Sequence, residues 1–414
     1  MGVKKIIVVG AGPAGMMAAI RAGALGQNVT LIDKNPYLGK KLLLSGKGRC
    51  NLTNACPLEG FLNRFSKNSA FLRDAFKLFF NTDLIKFFED RGLKLKIERQ
   101  MRVFPVTDKS GSILEVLKKE LNKEKVRVIC KAALKNILVA NSKIEAIELA
   151  DNAVITSDRI ILATGGVSYG FTGSTGEGLE IAKGLGHRIV TPRAGLVPLE
   201  VKERFIVSLE GITLKNVRLK FKKGEKNIIS DVGELLFTGF GVSGPLVLTL
   251  SGRITDWLLE GGAVYLEIDL KPALSFEQLD VRLLREFNAA PRKNIKNLLK
   301  DFLPQRMVNV FAEISGISLD KSTSQITKEE RRNLVLLFKG LCLTILGPRP
   351  IKEAMITRGG VCLKDIDPRT MQSRLIKGLY FAGEIMDIDA DTGGFNLQAA
   401  FSTGYLAGQS AALN

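Results

Sequence analysis

A chain with a single histidine and five scattered cysteines lacks the material for several kinds of chemistry. A Ser-His-Asp triad or a multi-histidine metal centre cannot be built around His187 alone, and no metal site is expected. His187 lies in "KGLGHRIV", where a helix gives way to a strand, so a structural role is expected of it. Cys50, Cys56, Cys130, Cys342 and Cys362 are odd in number and contain no C-x-x-C. That argues against a disulfide scaffold, a zinc cluster and a dithiol pair, and it fits a reducing cytoplasm. No stretch approaches ~18 uninterrupted apolar residues, so no membrane span is expected. The opening "MGVKKIIVVG" mimics a signal peptide, but glycine and proline break its apolar run. Ile6 stands where a myristoylation signal wants Ser or Thr. Internal repeats and low-complexity linkers are also missing.

Acid is the scarcer charge. Sixty Lys and Arg against 42 Asp and Glu leave a formal charge of +18, which raises a polyanion as a partner. Residues 1–50 hold eight basic residues against one acid, and "LKNVRLKFKKGEK" (214–226) and "RLLREFNAAPRKNIKNLLK" (282–300) add more. None is interleaved with a row of aromatics. A solvated surface or an anionic cofactor is the expected explanation, and nucleic acid is the lesser reading.

A length of 414 residues suggests two or three domains. "KKIIVV", "PAGMMAAIRAGALG" and "NVTLID" read as a βαβ unit whose short apolar strands belong in a parallel sheet. Helices are expected near 69–80, 82–91 and 111–123, a strand at 126–130, an antiparallel meander to 158, a buried strand at 159–166 and a helix at 176–186. From about 190 the chain turns to short strands with glycine turns, and 276–340 reads as helical. It then returns to its first style in "GLYFAGE" and "GGFNLQAAFSTGYLAGQSAAL". The expected organisation is a discontinuous α/β domain (1–190 and 346–414) carrying a β-rich insertion (191–274 and 341–345) and a small helical insert (275–340).

Gly10-Ala11-Gly12-Pro13-Ala14-Gly15 is a G-x-G-x-x-G between strand and helix, where each glycine has a mechanical reason. The first makes the tight turn, the second admits a pyrophosphate to the backbone, and the third lets helix pack on strand. The helix start offers N–H groups and partial positive charge to phosphate. Asp33 ends the second strand 18 residues after Gly15, placed to accept ribose hydroxyls. Ala163-Thr164-Gly165 matches the "ATG" turn of two-dinucleotide flavoproteins, and "GLYFAGE" (378–384) resembles their C-terminal flavin motif. There Gly383 and Glu384 would meet the ribityl or pyrophosphate region. Gly394 opens the last helix, whose first N–H groups would stabilise charge on a flavin ring.

"GKKLLLSGKGRCNLTN", "RVFPVTDK", "LATGGVSYGFTGSTGEG", "GELLFTGFGVSGP" and "GLYFAGEIMDIDADTGGFNLQAAFSTGYLAG" together resemble the BaiN-like family of bacterial NAD(P)/FAD-dependent oxidoreductases, also described as aminoacetone oxidase-like flavoproteins. One branch of it includes reductases of unsaturated bile-acid intermediates. The resemblance implies a Rossmann-like FAD domain of the two-dinucleotide-binding type with an inserted β-barrel-like domain and a small helical domain. It places Gly10, Gly12, Pro13, Ala14, Gly15, Asp33 and Lys34 on the adenosine and pyrophosphate side, with Val128 near the adenine. Lys41, Ser45, Gly46, Arg49, Cys50 and Asn51 would lie along the flavin, and Thr164, Gly165, Glu384, Gly394, Phe395, Asn396, Leu397 and Gln398 would complete the site. Many members have histidine after "LFT"; here Gly239 follows Thr238.

The stretch "SGKGRCNLTN" (45–54) is not a Walker A loop. Lys41 occupies the position of its first glycine, and Gly48 replaces the Ser or Thr after Lys47. Asn51-Leu52-Thr53 reads as an accidental sequon. Cys50 is expected to pack beside the flavin rather than to react. Arg102, Phe104 and Pro105, with Arg358, are expected to line the substrate side, which leaves Cys50, Arg102 and Arg358 as candidate catalytic residues. The leading expectation is hydride transfer between FAD and a small organic substrate, with NADH or NADPH docking transiently because only one full dinucleotide fingerprint exists. An RNA-associated flavoprotein and a non-catalytic FAD-binding protein are the alternatives.

Overall fold

Lys5–Val9 (β1) is followed by the helix Pro13–Ala24 (α1) and the strand Asn28–Asp33 (β2). In the computed structural model, which describes residues 2–414, β1 lies between β2 and Arg159–Leu162, and all run parallel. Leu379–Phe381 and Arg127–Cys130 add the outer strands, giving a five-stranded parallel sheet. Ile6 to Val9 are all buried, because helices cover both faces of such a sheet. Each of those side chains contributes up to roughly 1.5–3 kcal/mol by leaving water. The strands end together: Gly10 N–H donates to Ile32 O, Ala163 N–H to Val9 O and Ala382 N–H to Leu162 O, at 2.8–3.0 Å. Their C-terminal ends therefore bring three glycine turns to one edge of the sheet.

The last helix, Phe395–Leu413, is buried along most of its length and lies directly on α1. The spacing of "GYLAG" explains the approach. A Cβ on Gly404 would sit 2.2 Å from Ala14 O, and one on Gly408 would sit 2.3 Å from Ala18 O. Small residues four apart on both helices bring the backbones together and fix the start of the last helix beside the Gly10–Gly15 turn.

The chain divides into two compact units, one running to Gly195 and resuming at Ile351, the other Leu196–Pro350. The first break lies beyond the expected residue 190 because Ile189–Gly195 pairs antiparallel with Ile356–Val361 inside the first unit. In the second unit Thr213–Lys223, Gly233–Thr238, Gly241–Ser243, Leu199–Val201, Leu341–Pro348 and Val264–Asp269 form a closed six-stranded antiparallel barrel. The helices at 276–339, two of which begin with capping boxes at Ser275 and Thr327, share one core with that barrel rather than forming their own. A further helix, Pro245–Leu259, was not expected from the sequence. Its signals are Pro245 at the first helical position and apolar residues at Val247, Leu248, Leu250 and Ile254, all buried.

Gly404→Val forces side-chain atoms into the Ala14 carbonyl and should cost about 3 kcal/mol or more in urea unfolding. Gly60→Ala, where the nearest atom to the new Cβ is Cys56 Sγ at 4.0 Å, should leave the midpoint unchanged or raise it.

Candidate functional site

The glycine turn after β1 has three distinct environments. A Cβ on Gly10 would meet Ala163 O at 2.5 Å and one on Gly15 would meet Gly10 O at 1.8 Å, whereas one on Gly12 would meet nothing within 4 Å. The middle glycine opens outward, as a turn that admits a phosphate requires. Its helix begins on Gly12 and Pro13 without a capping side chain, so the first-turn N–H groups are available to a ligand. Asp33 holds this turn in place: Oδ2 accepts from Ala11 N–H at 2.7 Å, and Oδ1 accepts from Asn35 N–H at 2.7 Å. Lys34 is engaged by Thr175 and Glu177 at 2.6 and 2.9 Å. Val128 lies next to Leu31 on the outer strand, half-buried.

A second cluster gathers around Glu384. Lys41 Nζ lies 2.7 Å from both Glu384 Oε2 and Ser168 Oγ, while Thr357 N–H and Ser168 Oγ donate to Glu384 Oε1 at 2.7 and 3.1 Å. Ser168 and Thr357 carried no signal of their own in the sequence. Thr164 Oγ1, on the neighbouring turn, is buried without a hydrogen-bond partner. Gly165 is left-handed at φ 74°, and Gly383 N–H donates to Thr403 Oγ1 at 3.0 Å.

The third part is the start of the last helix. Gly394 adopts φ 97°, and a Cβ there would lie 2.4 Å from the carbonyl carbon and oxygen of Thr53. The segment Asn51–Asn54 is bound to this start. With its amide oriented by the surrounding network, Asn51 accepts from Gly394 N–H at 3.1 Å and donates to Thr53 O at 3.2 Å. Thr53 Oγ1 donates to Gln398 Oε1 at 2.6 Å, Gln398 Nε2 donates to Ser402 Oγ at 2.9 Å, and Ser402 Oγ donates to Phe79 O at 2.6 Å. Asn54 Nδ2 donates to Gly393 O at 3.1 Å. Asn396 braces the preceding loop through Ala390, and Phe395 packs edge-on against Phe61 at 4.7 Å. Leu397 is partly buried against the core. No side chain caps the helix, so its first N–H groups face outward with partial positive charge.

The other expected residues have the following partners within the fold. Ser45 Oγ donates to Leu42 O at 2.6 Å, and Gly46 is left-handed at φ 57°. Arg49 lies over the Phe104 ring at 4.2 Å, with Nε donating to Asp108 at 2.8 Å and its far end on Glu98. It is a brace between loop and hairpin rather than an open cation. Cys50 is fully buried with φ 60°, and burial pushes its thiol up to about 12 despite a hydrogen bond with Ser45. A thiol raised this far is protonated at neutral pH, which supports packing over reaction. Arg102 Nε donates to Arg99 O at 3.1 Å. Arg358 is buried, with Nε 3.4 Å from Asp389 Oδ2, and Asp389 also accepts from Ser66 Oγ at 2.6 Å. Phe104 and Pro105 are buried in the small sheet formed by Arg102–Pro105, Leu95–Glu98 and Thr53–Asn54. Burial, reinforced by Asp389, pushes the Asp387 carboxyl up. His187 is buried between Ala182 O and Ser373 Oγ (2.7 Å), and burial pulls its pKa down, as a structural histidine's should be.

These three clusters are what a ligand with a pyrophosphate and a polar ring edge requires, and the residues present fit a flavin dinucleotide. The fold and site define a Rossmann-type dinucleotide-binding α/β protein. The chain matches the HI0933-like protein Rossmann domain over residues 4–410 and belongs to that family, as its motifs led us to expect. It is 29% identical over 418 residues to a 3-dehydro-bile acid delta(4,6)-reductase of Clostridium scindens, covering 99% of each chain. It is 31% identical over 403 residues to a ribosomal RNA dihydrouridine synthase of Haemophilus influenzae, covering 96% of each. Among solved structures, a 3-ketosteroid-delta4-(5alpha)-dehydrogenase of Rhodococcus jostii RHA1 superposes with a TM-score of 0.54 at 15% identity, over 99% of this chain and 97% of that one, a likeness of fold. No helix among the described residues is long and apolar enough to cross a membrane.

In native protein at pH 8, iodoacetamide should label the exposed Cys342 and leave Cys50 untouched; equal labelling of the two would contradict the packing role. Thr53→Val leaves Gln398 Oε1 without its buried donor and should cost about 1–3 kcal/mol in thermal unfolding.

Proposed function

We propose that this protein is an FAD-dependent oxidoreductase that saturates a carbon–carbon double bond conjugated to a carbonyl, with NAD(P)H as the electron source and a uridine of RNA as the substrate. The flavin reading rests above all on the two long helices, α1 and Phe395–Leu413, that begin on glycine without a capping side chain at one edge of the sheet. When bound, the flavin supplies hydride chemistry that no side chain offers. The protein's part is orientation and electrostatics. Gly12 leaves the backbone open to phosphates, Lys41 and Glu384 form a partly buried pair beside Gly165, and the N–H groups after Gly394 stabilise negative charge on a ring edge.

Two relatives support the reaction class. A delta(4,6)-reductase of a 3-dehydro-bile acid and a synthase of dihydrouridine both add two hydrogens across a double bond conjugated to a carbonyl. A hydride goes to one carbon and a proton to its neighbour. The formal charge of +18 favours the polyanionic substrate of the second. A small unsaturated oxo acid is the second reading, supported by the 29% identity that spans 99% of both chains. Transient docking of the nicotinamide is supported by the single full G-x-G-x-x-G fingerprint.

The purified protein should carry the yellow absorbance of bound flavin and bleach anaerobically with NADH or NADPH. Unmodified ribosomal RNA should then reoxidise it and gain two hydrogens per modified base by mass spectrometry. Reoxidation by a 3-oxo-4,6-diene bile acid and not by RNA would transfer the conclusion to the small-molecule reading. A colourless protein that cannot be reconstituted, or a flavin that neither reduces nor turns over, would overturn the enzyme.

A further inference from the structure

Two strained turns hang from the start of the last helix. In the first, Gly46, Lys47 and Gly48 are all left-handed, with φ 57°, 57° and 84°. In the second, Gln100 and Met101 are left-handed in succession, with φ 60° and 58°. For residues other than glycine this conformation costs roughly 1–2 kcal/mol each, and glycine at Lys47, Gln100 or Met101 would remove the cost. The structure holds the strain through the same helix start. A Cβ on Gly46 would lie 2.8 Å from Asn51 N, and Asn51 bonds to Gly394 N–H. Asn54 Nδ2 donates to Gln100 O at 2.9 Å as well as to Gly393 O at 3.1 Å. Strain kept at such a place points to use.

The charges on these turns divide into two kinds. Arg49 and Lys96 share Glu98 and Asp108, a locally neutral network that braces the loop. Lys47, Arg99 and Arg102 stand outside it. Lys47 and Arg99 are exposed, Arg102 is half-buried, and among the described residues none of the three has a carboxylate within ion-pair distance. Arg102 Nε reaches back to Arg99 O, holding these two cations on one turn. Met101, half exposed, sits between them in the chain.

We propose that Lys47, Arg99 and Arg102 are a positioning rim that grips phosphodiester groups flanking the target nucleoside. The proposal rests on the RNA reading above. An enzyme that works on one base must draw that base out of its stack and hold the backbone on either side of it. Cations whose backbone is held on strained turns tied to the candidate flavin-binding helix start are placed to do this. Arg49 shows what a cation with only a bracing role looks like here: it is bound by two carboxylates.

The test uses flavin-loaded protein and a fluorescein-labelled single-stranded RNA 20-mer of mixed sequence, read by anisotropy across a salt series. Removing three phosphate contacts should flatten the slope of log K against log salt by about two. The variant K47Q/R99Q/R102Q should therefore bind at least about a hundredfold more weakly at low salt, with the flavin spectrum unchanged. K47R should keep the affinity. K47G should lose affinity without a lower melting temperature, which separates recognition from folding, and R285Q, on the exposed face of Phe276–Ala289, should bind as the parent does. Parent protein that binds RNA equally well after the triple substitution would overturn the rim and leave the RNA reading standing. Parent protein that binds no RNA at physiological salt would overturn both.

Discussion

The contact on which the candidate site depends is between two pieces of backbone, Gly394 and Thr53. Nothing larger than hydrogen fits on Gly394, since a Cβ would lie 2.4 Å from the Thr53 carbonyl. This approach lets the last helix begin without a capping side chain, its first-turn N–H groups left to a ligand, while three residues of a distant loop hold the residues on either side of that start. Asn51 takes the Gly394 N–H, Asn54 takes the Gly393 carbonyl, and Thr53 reaches Gln398 one turn in. Because the Gly404 and Gly408 contacts fix the helix against α1, the loop is referred to the same frame as the Gly10–Gly15 turn.

That arrangement explains how the loop sustains unfavourable backbone geometry. Exposed ion pairs such as those of Arg49 contribute at most about 1 kcal/mol each. Buried hydrogen bonds contribute a similar net amount, but an unpaired buried partner costs about 1–3 kcal/mol. The Thr53–Gln398–Ser402–Phe79 chain is buried throughout, so breaking any link leaves a polar atom stranded. This asymmetry, more than the gain from any one bond, opposes relaxation of Lys47 and Cys50 out of the left-handed region.

The parts of the molecule legible in the sequence are those in which local chemistry and tertiary role coincide. Ile6 to Val9 are apolar because the sheet is buried on both faces, and the G-x-G-x-x-G spacing is a direct record of turn, ligand and helix packing. The Glu384 cluster was partly legible: Glu384, Lys41 and Ser168 lie in recognisable motifs, although nothing in the sequence joins Ser168 to Glu384, whereas Thr357 reaches them from a segment that only the fold brings near. Arg49 was legible as a residue of the loop, but its ion pairs were not, since Glu98 and Asp108 are surface acids without a pattern. The helix at 245–259 escaped notice because strand-like apolar neighbours surround it, and its Gly244-Pro245 start reads equally as a turn.

Nucleic acid is recognised in more than one way. Basic runs interleaved with aromatics belong to proteins that stack many successive bases along a groove. Chemistry on a single base makes a different demand: one pocket for the base, and a few cations to hold its neighbours' phosphates. Such cations need not be numerous or contiguous in sequence. They need to be rigid, unpaired and near the reacting edge, and this depends on backbone geometry and on which acids lie nearby. Lys47 between its two glycines looks in sequence like part of a phosphate loop. In the fold it is a strained residue without a carboxylate partner, two positions from an arginine that has two. The contrast between these neighbours supports assigning recognition to one and bracing to the other.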